Sequence, residues 1–179
     1  MKNLLIPKKM LLTLGALLFF SVLFAQTDKA SRPSPPATAS GKIKDANVTI
    51  DYSSPAVKGR KVWGDLVPYD KPWRAGANEA TVFTTDKDLE VEGQKLPAGK
   101  YSLFAIPGEK EWTFVFNSET GQWGIKRTGE ANFDPAKTVL TVKAKAKKSD
   151  KFQERLTYEL EKKGFELQWE NLEVPVSIK

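Results

Sequence analysis

From Lys42 onward apolar and polar residues alternate with period two, the pattern of strands that bury one face. Val48, Ile50 and Tyr52 alternate with Asn47, Thr49 and Asp51, and Leu89 and Val91 with Asp88, Glu90 and Glu92. Trp112, Phe114 and Phe116 share a side. Leu140, Val142, Ala144 and Ala146 oppose Thr141, Lys143, Lys145 and Lys147. Phe165, Leu167 and Trp169 oppose Glu166, Gln168 and Glu170, and Val174, Val176 and Ile178 close the chain in the same manner. The apolar parity changes between Trp169 and Leu172, which predicts a turn or bulge near Glu170-Asn171. Segments 80–85 and 100–106 are apolar on both sides and predict more deeply buried strands. Segment 152–162 fits a helical stripe through Phe152, Leu156 and Leu160, but Leu156, Tyr158 and Leu160 also alternate, and its strand neighbours favour a strand.

Turn chemistry separates these runs: Gly93-Gln94-Lys95, Pro97-Ala98-Gly99, Pro107-Gly108 and Asp134-Pro135. Roughly eight to ten short strands without a long helical pattern predict an all-β domain, a single antiparallel β-sandwich of jelly-roll-like type. The first residues change the picture at one end. Lys2, Lys8 and Lys9 flank an uncharged apolar run over 10–24, followed by the small residue Ala25, the parts of a cleavable signal peptide over 1–25. The run is short of the roughly 20 residues of a spanning helix. No cysteine follows it, so a lipoprotein is not expected. Residues 26–41, rich in Pro, Ser and Ala, predict a flexible tether, leaving 42–179 as the domain. The expected destination is the periplasm or the medium, with no membrane association of the mature form.

Removing residues 1–25 takes away three lysines and no acid, so 25 cations face 22 acids and the net charge falls from +6 to +3. Lysines 143, 145 and 147 lie on alternate residues and predict a solvated strand face, not the concentrated basic face of a nucleic-acid binder. The chain has no cysteine and no histidine. Disulfides, thiolate or imidazole zinc ligation, and Ser-His-Asp or Cys-His nucleophiles are therefore excluded. Asp86-Lys87-Asp88 is too short and too basic for a calcium loop, so no metal and no cofactor is expected.

Segment 52–81 departs from plain alternation and gathers Trp, Tyr, Arg, Asn and Glu among Gly and Pro. Loops of this kind on a rigid sheet are where binding sites commonly lie. Trp63, Tyr69 and Trp73 are candidates for an apolar platform under a carbohydrate or similar polar ligand. Arg60, Arg74, Asn78 and Glu79 are candidates for the directional hydrogen bonds. The architectural alternative pairs Arg74 with Glu79 inside the fold, uses Asn78 to satisfy loop backbone and closes the sandwich with the tryptophans. Glu79, Asp65, Asp70 and Asp51 are the nearby acids; no spacing shows that two converge for hydrolysis, and Glu79 is the one weak catalytic candidate. The sequence favours a non-enzymatic ligand-binding or accessory module. A carboxylate-dependent hydrolase and a structural protein of envelope or surface assembly are the alternatives.

Segment 50–123 resembles the domain-of-unknown-function-2911 family, exported proteins associated mainly with Bacteroidetes. The resemblance is carried by Tyr52-Ser53-Ser54-Pro55, Gly59-Arg60, Leu66-Val67-Pro68-Tyr69 and above all Trp73-Arg74-Ala75-Gly76-Ala77-Asn78-Glu79-Ala80-Thr81. Leu96-Pro97-Ala98-Gly99-Lys100-Tyr101-Ser102-Leu103-Phe104, Ile106-Pro107-Gly108 and Gln122-Trp123-Gly124 continue it, and Asp134-Pro135-Ala136-Lys137 and the strand over 169–178 extend it to nearly the whole domain. It implies a signal-bearing β-sandwich and supplies no catalytic residues. One departure is a longer loop at 126–131, between Trp123 and Phe133.

Overall fold

The computed structural model describes residues 28–179, so the expected signal peptide lies outside the described residues. The described residues divide into two units, 28–32 and Pro33–Lys179. In the first, Lys29–Ser31 make one 3-10 turn capped by the Asp28 side chain, which accepts from Ala30 N. The second is built from ten strands: β1 (Pro36–Ile43), β2 (Ala46–Ser53), β3 (Thr81–Thr85), β4 (Leu89–Val91), β5 (Gln94–Leu96), β6 (Gly99–Ile106), β7 (Glu111–Asn117), β8 (Thr138–Lys145), β9 (Lys147–Glu161) and β10 (Gly164–Ser177). No helix among the described residues is long and apolar enough to cross a membrane.

One layer is a six-stranded antiparallel sheet in the order β1-β2-β3-β6-β7-β8. The other is the long β9-β10 hairpin, extended by the β4-β5 hairpin through paired hydrogen bonds between Glu90 and Lys179. These open, packed antiparallel layers form the sandwich that the alternation predicts. In the larger layer consecutive strands are neighbours except between β3 and β6, where the chain leaves the sheet for the β4-β5 hairpin and returns.

The core follows from the alternation. Ile50, Phe83, Leu103, Phe114, Phe116, Leu156, Phe165, Leu167 and Val174 are fully buried between the layers. Each large apolar side chain so placed contributes on the order of 2–3 kcal/mol, which lets the fold stand without disulfides. Lys143 and Lys145 face solvent. The ambiguous segment is strand, part of β9, and its pairing with β10 places Leu156 and Tyr158 in the core. The parity change is a bulge: register shifts on both sides of Glu170, whose φ is +58°. That extra residue returns Val174, Val176 and Ile178 to the inner face.

Two expectations are refined. Residues 36–41, assigned to the tether on composition, are strand β1, paired with β2 from Pro36↔Ser53 to Ile43↔Ala46. Only Ile43 of β1 is buried, so its small and polar residues add little apolar surface. Backbone bonds to β2 hold it, and an edge strand admits a proline at its first position. The doubly apolar strands β3 and β6 are central, as expected, and the outward Phe104 of β6 packs with Ala80 and with Val115 of β7 against Ala131 and Phe133. Phe104 and Phe133 lie 4.7 Å apart.

Candidate functional site

Segment 54–80 links β2 to β3 without forming a strand, yet it is tightly held. Trp73 exchanges two backbone bonds with Ala105 of β6, at 2.7 and 2.8 Å. The next turn carries positive φ at Ala75 (+50°) and Asn78 (+57°), conformations that non-glycine residues rarely take. The Ala75 carbonyl accepts from Thr81 Oγ1 and from Tyr158 Oη, both at 2.9 Å. Ala77 N donates to Ser53 O, and a Cβ on Gly76 would stand 2.8 Å from Thr81 Oγ1 and 3.1 Å from Ser53 O. The specific string Trp73-Arg74-Ala75-Gly76-Ala77-Asn78 therefore encodes a strained turn that its surroundings over-determine.

Beside this turn is a cleft of about 850 Å³. Its walls come from the loop around 66–77, the loop at 125–135, and Trp169 of β10. Trp73 and Trp169 stack with centroids 6.1 Å apart and planes 16° apart. Trp63 meets both edge-on at 5.6 and 6.1 Å, and Trp112 meets Trp73 at 6.2 Å and Trp63 at 4.9 Å, giving a cluster of four indoles at this end of the core. Trp73 Nε1 donates to Gly76 O at 3.1 Å. The indole nitrogens of Trp63, Trp112 and Trp169 are buried with no acceptor.

Of the sequence-predicted site residues, Arg60, Trp73 and Arg74 line the cleft, and Trp63, Tyr69, Asn78 and Glu79 do not. Arg60 is tied to its own loop, donating from Nε to Val57 O at 3.1 Å and from Nη2 to Ala56 O at 2.6 Å. Trp63 is buried behind Trp73, and Tyr69 lies against Gly64, where a Cβ would stand 3.0 Å from its ring. Asn78 donates from Nδ2 to Ser34 O, the backbone-satisfying role of the architectural alternative. Glu79 bridges Trp123 through its backbone.

Arg74 behaves differently. Its stem packs on Gly124 so closely that a Cβ there would lie 2.3 Å from Cδ. Its Nε is buried with no acceptor, and among the described residues its side chain forms no hydrogen bond or ion pair, so the expected Arg74–Glu79 pair is absent. Burial pulls its pKa below the ordinary arginine value, although an arginine remains charged in proteins. Lys71 and Lys126 also line the cleft, against one acid among the described lining residues, Glu130. Glu130 accepts from Thr128 Oγ1 at 3.2 Å. Glu79, Asp65, Asp70 and Asp51 all lie outside the lining. Among the described residues no three carboxylates cluster as a metal would need.

Sequence reasoning missed Lys71, Phe133 and the loop 125–131 as lining; Trp169, read as core, is core, 1 % exposed, and also borders the cleft. The longer loop at 126–131 was the available signal. It folds on itself through Lys126 N to Glu130 O (2.8 Å) and an Ile125–Ala131 bridge, and so builds one wall of the cleft. Trp123, 47 % exposed, is not part of that wall.

Fold and site together define an open β-sandwich of two antiparallel layers with a cleft at its tryptophan-rich end. The chain belongs to the family described as "Protein of unknown function (DUF2911)", whose model matches residues 34–178. Neither a curated protein nor a solved structure matches it.

Proposed function

We propose that this protein is a non-enzymatic ligand-binding module whose site is the cleft beside Trp73 and Trp169. The observation that carries the reading is one cleft combining a stacked indole pair with an arginine whose side chain has no hydrogen-bond or ion-pair partner among the described residues. Its size falls in the range of roughly 300–1,000 Å³ typical of small-molecule sites, and an apolar wall with few polar groups is their usual make-up. Backbone strain held in place beside a cleft is a further mark of a working site. A hydrolase using two carboxylates is less well supported, because such chemistry needs a pair and the described lining holds Glu130 alone. An assembly role has less support too: the exposed apolar residues Leu66, Trp123, Val139 and Phe152 stand on four separate segments.

The test is a melting-temperature and tryptophan-fluorescence screen of the full chain against sugars, carboxylates, phosphates and neutral amphiphiles, beside Trp73→Leu. A ligand at about 100 times its Kd adds ~2.7 kcal/mol, which raises Tm by roughly 5–10 °C in a domain of this size. The expected result is such a shift in the wild type and a smaller one in Trp73→Leu. No hit in any class, or identical responses of the two proteins, overturns the reading.

A further inference from the structure

We propose that the ligand of this cleft is an amphipathic monocarboxylate, its carboxylate seated on Arg74 and its apolar body lying along Trp73, Pro68 and Phe133; this rests on the ligand-binding reading above. A partly buried guanidinium normally offsets its desolvation with an acceptor in the fold. Arg74 has none among the described residues, and its Nε is sealed from water as well. The two Nη atoms are not sealed, so they are the donors left for a ligand. Their parallel N–H bonds match the two oxygens of a carboxylate.

The arginine is held ready. On one side its neighbour Trp73 is bonded to Ala105, and on the other the Ala75 carbonyl receives two hydroxyl groups. Its stem has no room to shift toward Gly124. A donor positioned before binding spends little ordering entropy when its partner arrives.

Charge and composition select the partner. Arg60, Lys71 and Lys126 share the lining with Arg74, and the one acid there is engaged with Thr128. A neutral sugar would call for acceptors as well as donors, and the acceptor side chains of the described lining are Ser34, Thr128 and Glu130, the last two bonded to each other. Most of the remaining wall is hydrocarbon or indole, which calls for an apolar body attached to the anion.

The experiment is calorimetric titration of the full chain, with tryptophan fluorescence in parallel. The probes are decanoate, decanol, decyl phosphate and cellobiose, each also run on Arg74→Gln and Arg74→Lys. Decanoate is expected to bind the wild type at least about tenfold more tightly than decanol, the worth of one charge-assisted pair. Arg74→Gln should erase that preference and Arg74→Lys should restore only part of it. Thermal unfolding of Arg74→Gln at or above the wild-type temperature would show that the loss is not misfolding. Equal binding of decanol and decanoate, or a preference that survives in Arg74→Gln, overturns the carboxylate assignment and leaves the cleft as a binding site. Decyl phosphate binding tenfold more tightly than decanoate, or cellobiose binding alone, overturns it likewise. Failure of all four probes together with failure of the wider screen overturns both readings.

Discussion

Two aromatic clusters share the interior of one sandwich and differ in what they leave unfinished. Around Phe83, Phe114, Phe116 and Phe165 the rings meet at 5.3–5.9 Å, lie wholly on strands and are sealed between the layers. No polar atom is stranded among these rings. Around Trp63, Trp73, Trp112 and Trp169 the ring spacing is similar, but two of the four indoles sit on the loop between β2 and β3. There, three indole nitrogens and one guanidinium nitrogen are buried without acceptors, and Asp70, Ala75 and Asn78 take positive φ. Strands satisfy their own backbone and present apolar faces, so a strand-built core closes completely. A loop-built end must be stitched by individual hydrogen bonds, and here that stitching leaves polar atoms over.

The contrast can be broken by mutation, and the largest effect belongs to the phenylalanine end. Phe116→Ala is expected to lower unfolding free energy by about 3–5 kcal/mol in urea denaturation. A loss under 1 kcal/mol would mean that this end is not the tightly packed one. Gly76→Ala should cost about 1–3 kcal/mol, because its Cβ meets Thr81 Oγ1 and Ser53 O. A stabilised Gly76→Ala would show that the turn is not held as described.

Tyr158→Phe should cost about 1 kcal/mol through the lost bond to Ala75 O. Its pH dependence sharpens the point. Burial, and then the neighbouring Tyr52, raises the Tyr158 pKa well above its ordinary value of 10.0. Above about pH 10 the unfolded chain therefore binds fewer protons than the folded one, and stability falls as pH rises; below pH 10 this group's contribution is constant. Tyr52 and Tyr101 are raised as well, also by burial, and add to the same alkaline loss. Denaturant titrations from pH 8 to 11.5 should show a shallower decline for Tyr158→Phe than for the wild type. Equal slopes would place the alkaline loss elsewhere.

At the tryptophan end, Arg74→Leu should leave stability unchanged or raise it by up to about 1 kcal/mol, since no hydrogen bond or ion pair among the described residues is lost and leucine keeps an apolar stem against Gly124. A drop of 2 kcal/mol or more would make Arg74 architectural. Phe152→Ser, at a position 56 % exposed, should change stability by less than about 0.5 kcal/mol.

The legibility of the sequence divides along the same line. Residues on β2, β7, β8 and β10 lie on the faces that their alternation predicts, and even the Glu170 bulge was readable from a parity change. The 52–81 string was readable as an unusual region, but not as two different things. Trp63 and Asn78 turned inward to close the fold while Trp73 and Arg74 came to the cleft. The β1 strand was hidden because its composition is that of a linker, and only its pairing with β2 orders it.

The sequence by itself determined most of the strands, the inner face of each alternating one and the absence of cysteine and histidine chemistry, because these depend on residue type and a period of two. The tertiary structure alone decided that the loop at 125–131 stands beside Trp73 and Trp169, and that Arg74 is buried without Glu79 as its partner. Those facts depend on how segments some 50 and 100 residues apart approach one another. Side-chain alternation records which way a strand faces; it carries no record of which distant loop arrives to face it.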